Sequence, residues 1–280
     1  MTPTPGSPEW LSKVTASKVA AILGLSPWDS PLTLWHKMRG DLAPEAQTDY
    51  QARGHFLEDG VLRWWLAERP DARSIVDTQP YRSLEDWAGA TPDAIAYDGD
   101  DVVLVDAKTD AREYDWIEPP VWYVASSLWQ LACFPDAQRV HLAVLHAGLR
   151  FREYVIERDE ETIADVVAAC RRFYDSLAAD EAPPLSGMAA EYDVLRRVTV
   201  GIDKGESVDL PADLADAYLS DLAHEKRCAA TKARILDAMG HAQYAYAGGV
   251  KIARRQPAKD GIALVRVAAL PDLTETETAA

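Results

Sequence analysis

Ala90-Thr91-Pro92-Asp93-Ala94, followed eight positions later by Val102-Val103-Leu104-Val105-Asp106-Ala107-Lys108, is the stretch on which the fold turns. The β-branched apolar run Val102–Ala107 reads as a strand. Gly99 to Asp101 reads as a turn, and Trp87 to Tyr97 as the strand before it. Asp93 and Asp106 then lie 13 positions apart on two strands of one hairpin. Residues i and i+2 of a strand share a face, so Asp106 and Lys108 point the same way, toward whatever Asp93 faces. Asp is depleted in strands, and Lys is almost never buried without a partner, so packing explains this trio poorly. Two carboxylates bind a hard cation such as Mg²⁺ through oxygen. Such a cation polarises a phosphoryl oxygen and acidifies a bound water, and a neighbouring lysine orients that water or stabilises developing charge. The other reading of the same residues is a surface hairpin whose Asp106–Lys108 ion pair is worth little. On these residues alone both readings stand.

Upstream, Thr15 or Ser17 caps a short helix through Leu23, which Gly24 ends. Pro31 to Met38 is a second helix stopped by Gly40. Phe56, Leu57, Val61, Trp64, Trp65 and Leu66 give Ala52 to Glu68 a helical period closed by Pro70. Ser74 to Leu84 is strand-like, with a break at Pro80. Downstream, Pro119 and Pro120 open a helix to about Phe134. Val140–Leu145 and Arg150–Ile156 form a hairpin across Ala147-Gly148, and Asp159 caps a helix from about Glu160 to Leu177. Pro183 to Gly187 reads as a linker, and Tyr192 to Val198 as a short helix. Pro211 to Met239 is a long helix, acidic first and basic later, as its dipole prefers. Tyr244 to Ala269 reads as short strands with a Gly248-Gly249 turn, and Thr274 to Ala280 as a frayed end. The expected fold is α+β: a mixed central sheet flanked by helices over residues 1–182, then a helix plus β-hairpin extension over 183–280.

Composition fits a globular protein: 280 residues, 48% hydrophobic and 26% charged, long enough to bury a core without disulfides. No apolar run approaches the ~20 residues of a membrane helix, and Met1 to Trp10 carries no secretory pattern. A cytoplasmic protein without a membrane partner is therefore expected. The three cysteines, Cys133, Cys170 and Cys228, are odd in number and lack metal-ligand spacing, which excludes a zinc finger or four-cysteine cluster. The net charge of −16 argues against a nucleic-acid coat protein. The charge is uneven, however. Ala223 to Lys259 carries eight basic residues, Arg254 and Arg255 among them, against Glu225 and Asp237. That stretch is either a solvated helix face or an arm contacting phosphates.

Pro92-Asp93 … Asp106-Ala107-Lys108 resembles the PD-(D/E)xK nuclease signature, and its surroundings sharpen the likeness. Lys13-Val14-Thr15-Ala16-Ser17-Lys18-Val19-Ala20-Ala21-Ile22-Leu23-Gly24-Leu25-Ser26-Pro27 resembles the N-terminal helix of YqaJ-like viral recombinases, relatives of phage lambda exonuclease. Gly54-His55-Phe56-Leu57-Glu58 resembles their Gly-x-x-x-Glu helix, and Phe151 to Glu160 the strand and helix that close the core. The resemblance covers about Lys13 to Leu177 and implies a restriction-endonuclease-like core. It further implies a Mg²⁺-dependent deoxyribonuclease, with Mn²⁺ as a substitute, degrading linear duplex DNA from 5′ ends in phage-type recombination. In that reading Asp93, Asp106 and the backbone carbonyl of Ala107 hold the metal, Glu58 adds a carboxylate, and Lys108 positions the attacking water. The implied partners are double-stranded DNA ends, a single-strand annealing protein and further copies of the chain in a trimeric ring.

The sequence departs from the family at three places. Asp106 stands for the more usual Glu. Ser126 occupies the first position of a Gln-x-Gln pair, with Gln130 a helical turn further on. The arginine that grips a 5′-phosphate has no counterpart before Thr15; Lys13 is nearest, and Ser17 keeps the matching serine. Most of Trp28, Trp35, Trp64, Trp65, Trp116, Trp122 and Trp129 read as core. Trp116 and Trp122, in a loop and a helix start near the site, are the candidates for stacking on unpaired bases. Two other readings stay open: a RecB-like repair or defence nuclease, and a non-catalytic module that keeps the fold and binds DNA or a protein.

Overall fold

In the computed structural model, residues 7–43, 48–111, 115–199, 205, 207–247, 250–258 and 261–266 are described. The chain divides into two compact units, Met1–Gly201 and Ile202–Ala280. The division falls beyond the linker read at 183–187. The segment after that linker is tied into the first unit, because Glu191 is buried, accepts a hydrogen bond from Ser30, and also accepts from the backbone of Ser186 and Gly187.

The first unit opens with three short helices, α1 (Pro8–Leu11), α2 (Ala16–Ile22) and α3 (Pro31–Arg39). Ser30 caps α3 by accepting from the Thr33 N–H at 3.1 Å, and Gly40 ends it with a left-handed φ of 79°. A reciprocal capping box between Thr48 and Gln51 starts α4 (Asp49–Glu68). Next come β1 (Arg73–Thr78), β2 (Arg82–Glu85), β3 (Ala88–Ala90), β4 (Ala94–Asp98) and β5 (Asp101–Asp110). Then follow α5 (Val121–Cys133), β6 (Arg139–His146), β7 (Arg150–Glu157), α6 (Glu160–Ala179) and α7 (Ala190–Val198). Asp159 caps α6, as its position suggested, accepting from the Glu161 and Thr162 N–H groups.

One five-stranded sheet runs β1-β4-β5-β6-β7. Only β5 and β6 are parallel; α5 lies between them in the chain and supplies the crossover. Alternate residues of β5 serve two cores. Leu104 packs with Val19, Leu34, Trp129 and Leu142 on the face covered by α2, α5 and α6. Val103 and Val105 pack with Val61, Leu62 and Trp65 of α4 on the other face. A strand buried on both sides reads as the continuous apolar run seen in the sequence. Arg73, nearly inaccessible, fastens the α4 side: its guanidinium donates to both Glu153 oxygens (2.7 and 2.9 Å) and to the Trp65 carbonyl (2.9 Å).

Three expectations change. The single strand read at Trp87–Tyr97 is two strands. β3 pairs with β2 in a separate two-stranded sheet, and β4 leaves it to pair with β1. Pro92 lies in the break, where it lacks the N–H a ladder needs. Phe56 and Leu57 do not face the core; Phe56 is 87% exposed. Val61, Leu62 and Trp65, one to two turns on, bury the helix instead.

The third change lies in the second unit. It contains α8 (Ala212–Met239) and a sheet ordered β10-β9-β8, formed by β8 (Tyr244–Ala247), β9 (Val250–Ala258) and β10 (Gly261–Arg266). The extension is therefore a helix plus three strands rather than a helix plus a hairpin. The apolar Ile262–Val265 run supplies the third strand along β9. The Gly248-Gly249 turn, Lys259 and the Thr274–Ala280 end lie outside the described residues. Among the described residues no helix is long and apolar enough to cross a membrane.

Candidate active site

The β4–β5 hairpin turns at Gly99, whose φ of 66° suits glycine, and keeps a regular register from Asp98↔Asp101 to Ala94↔Val105. Continuing that register one step sets Asp93 against Asp106 at the open end. The two carboxylates are then fixed differently. Asp93 Oδ2 accepts the Ala107 backbone N–H at 2.7 Å. Asp106 is buried, and its Oδ2 pairs with Lys108 Nζ at 2.7 Å. Lys108 Nζ also donates to the Ala107 carbonyl at 3.2 Å and lies 5.7 Å from the Tyr123 ring centre. Asp106 and Lys108 do share a face, and with Asp106 inside the protein the surface-hairpin reading falls. Glu58 reaches the group from α4, accepting from Gln79 Nε2 at 2.9 Å, with His55 Nδ1 at 3.8 Å.

Electrostatics follow from this crowding. Burial, and then the negative charges of Asp106 and Glu58, raise the Asp93 carboxyl well above the usual carboxylate range; Lys108 and the Ala107 N–H oppose them without prevailing. Burial alone would pull Lys108 down, but the Asp106 and Asp93 carboxylates outweigh it and hold the ammonium above the usual lysine range. This upward push, with the 2.7 Å pairing to Asp106, favours the ammonium form of Lys108. It can donate hydrogen bonds and stabilise negative charge, but in this state it cannot accept a proton. Three mutually repelling carboxylates served by a single lysine leave negative charge that a cation would neutralise. All the available donors are oxygens, which suits a hard divalent ion. The residues therefore fit Mg²⁺ or Mn²⁺ by chemistry, although among the described residues no group of three or more His, Cys, Asp or Glu is gathered as a ready-made cage.

The other candidates are placed variously. Lys13 is half-buried and bonds the Asp86 carbonyl, whereas Ser17 is exposed with its Oγ 3.2 Å from Thr15 Oγ1. Gln130 is buried on α5, and among the described residues its side-chain oxygen has no hydrogen-bond partner. Trp116 corrects the stacking expectation. It is buried in the core, bonded through Nε1 to Asp110 and stacked on Tyr123 with ring centres 5.3 Å apart, so no base can reach its face. Trp122 is half-buried and meets the exposed Trp28 edge-on at 5.5 Å. In the second unit, Arg254 is exposed on β9, while the Arg255 guanidinium donates to the Gly240 carbonyl. Sequence reading missed Gln79 and Tyr123. An exposed Gln before a proline carries no visible signal, and Tyr123 reads as one more helix aromatic.

A mixed five-stranded sheet between helices, with an acid–acid–lysine group at the open end of its β4–β5 hairpin, defines the restriction-endonuclease-like class. Residues 10–133 match the model of the YqaJ-like viral recombinase domain. "Uncharacterized protein YqaJ" of Bacillus subtilis (strain 168) is 26% identical over 219 residues, 73% of this chain and 67% of that protein. Among solved structures, an alkaline exonuclease from Laribacter hongkongensis is 21% identical, covering 61% of this chain and 90% of that one at a TM-score of 0.47. A phage-related exonuclease from Haemophilus somnus is 14% identical over 60% of this chain and 96% of that one, at 0.43.

Proposed function

We propose that this chain is a Mg²⁺-dependent deoxyribonuclease that hydrolyses phosphodiester bonds of linear double-stranded DNA, working from 5′ ends in phage-type homologous recombination. The observation that carries the reading is the convergence of Glu58, Asp93, Asp106 and Lys108 on one sheet end, with Asp106 and Asp93 holding Lys108 cationic. The viral-recombinase match over residues 10–133 supports the recombination setting. Asp93, Asp106, Glu58 and the Ala107 carbonyl would hold the cation, which when bound supplies positive charge to polarise a phosphoryl oxygen. Lys108, steadied by Asp106, donates toward the attacked phosphate and stabilises the negative charge that develops there. The Ala107 N–H holds Asp93 in a single orientation. DNA ends are the substrate in this proposal, and a single-strand annealing protein and further copies of the chain are the proposed companions.

The test is a linear duplex labelled at one 5′ end, incubated with Mg²⁺, with EDTA, and with a Lys108→Ala variant. Label loss that needs Mg²⁺ and falls at least ~100-fold in the variant is expected for loss of a positioned hydrogen-bond donor and positive charge. A folded wild-type chain that leaves both duplex and single strands intact would refute the reading in favour of a binding module.

A further inference from the structure

Gln79 sits between two members of the candidate site, and its backbone is in a conformation its sequence disfavours. Its φ is 52°, in the left-handed region, although it is neither Gly nor Asn. It also precedes Pro80, and a residue before proline is driven toward extended backbone. Strain of this kind persists only where the surroundings enforce it, and it gathers at functional sites. Two hydrogen bonds do the enforcing. The Gln79 backbone N–H donates to the Asp93 carbonyl at 2.9 Å, locking the end of β1 to the residue that carries the first carboxylate. The Gln79 side-chain amide donates from Nε2 to Glu58 Oε1 at 2.9 Å. The left-handed turn is what lets one residue make both contacts, one to β4's leading edge and one to α4.

We infer that Gln79 is a positioning residue that aims the Glu58 carboxylate at the Asp93–Asp106 pair and so strengthens the site's hold on a divalent cation. This rests on the nuclease reading above. Glu58 comes from a helix, whereas both aspartates come from one hairpin, so its carboxylate is the one whose placement the hairpin cannot fix. An amide suits the task. It donates to Glu58 Oε1 without adding charge, leaving Oε2, which lies 3.8 Å from His55 Nδ1, to turn toward a cation.

Two substitutions separate this role from a merely structural one. Gln79→Ala and Gln79→Gly both remove the amide, but glycine adopts positive φ at no steric cost. The glycine variant should therefore melt higher than the alanine variant. Mn²⁺ titrations of the full chain without DNA, read by electron paramagnetic resonance, should show both variants binding about 10-fold more weakly, the usual cost of losing a group that orients a ligand. The Mg²⁺ concentration for half-maximal DNA degradation should rise in parallel, with saturating Mg²⁺ restoring the rate. Affinities equal to wild type, or an affinity that recovers in Gln79→Gly along with stability, would overturn the inference and leave the nuclease reading intact. A wild-type chain that takes up no Mn²⁺ and cleaves no DNA would overturn both.

Discussion

At the scale of single residues, Lys108 is the group whose neighbours determine its chemistry. Among the described residues it is the cation paired with Asp106, at 2.7 Å, and the main counterweight to negative charge at Asp93. Removing one member of a buried charged group leaves the others uncompensated, so Lys108→Met should cost about 3 kcal/mol of stability. Urea unfolding at neutral pH would measure it, and a loss below ~1 kcal/mol would mean that solvent already screens the pair. The pairing of Asp106 with Lys108 was legible in the sequence, because i and i+2 share a strand face and neither residue belongs on a buried face alone. Gln79 was not legible. Its contacts depend on where β1 ends relative to α4, and no local pattern encodes that meeting.

At the scale of elements, α1 and α2 are joined by a buried lysine. Lys18 Nζ donates to the Trp10 carbonyl at 2.5 Å and the Lys13 carbonyl at 2.6 Å, and lies over the Trp10 ring. Burial pushes this lysine down to about 7 from its ordinary 10.5. Between those values the unfolded chain keeps a proton that the folded chain has shed, so stability should rise with pH across that window and fall again toward 7. Denaturant midpoints at pH 7 and pH 9.5 should show the rise, and Lys18→Met should flatten it; an unchanged slope in the variant would assign the rise to another group. Caps and stops made several helix limits readable: Gly40, Asp159 and Gly24 lie where the pattern put them. What escaped was pairing at a distance. The split at Pro92 depends on which neighbour each half finds. The clasp of Arg73 on Glu153 spans 80 positions, so no sequence window contains both. Phe56 and Leu57 fitted the helical period yet face outward, because the period alone does not say which stripe meets the sheet.

At the scale of the whole molecule, the proposed reading asks an acidic protein to hold DNA, which requires exposed cations in the right places. In the second unit, Arg254 is exposed whereas Arg255 is committed to the Gly240 carbonyl. If the basic stretch grips phosphate, Arg254→Ala should lower the salt dependence of duplex binding by about one unit of slope. Arg255→Ala should instead lower the melting temperature. Binding isotherms at several KCl concentrations would check the first, and equal slopes would remove Arg254 from the DNA interface. The hairpin that carries the carboxylates also bears on how the chain reaches its native state. Residues 93–108 hold five aspartates (Asp93, Asp98, Asp100, Asp101, Asp106) and a single lysine. The arginines that later neutralise Asp98 and Asp101 arrive from the residue that follows α4, from β1 and from β6. A hairpin closes in microseconds, well before such distant partners dock. This one must therefore close against its own charge. Stopped-flow refolding should accelerate as salt is raised from low ionic strength, when a shorter Debye length shields the aspartates from one another. A refolding rate that ignores salt would place hairpin closure after the arrival of the arginines.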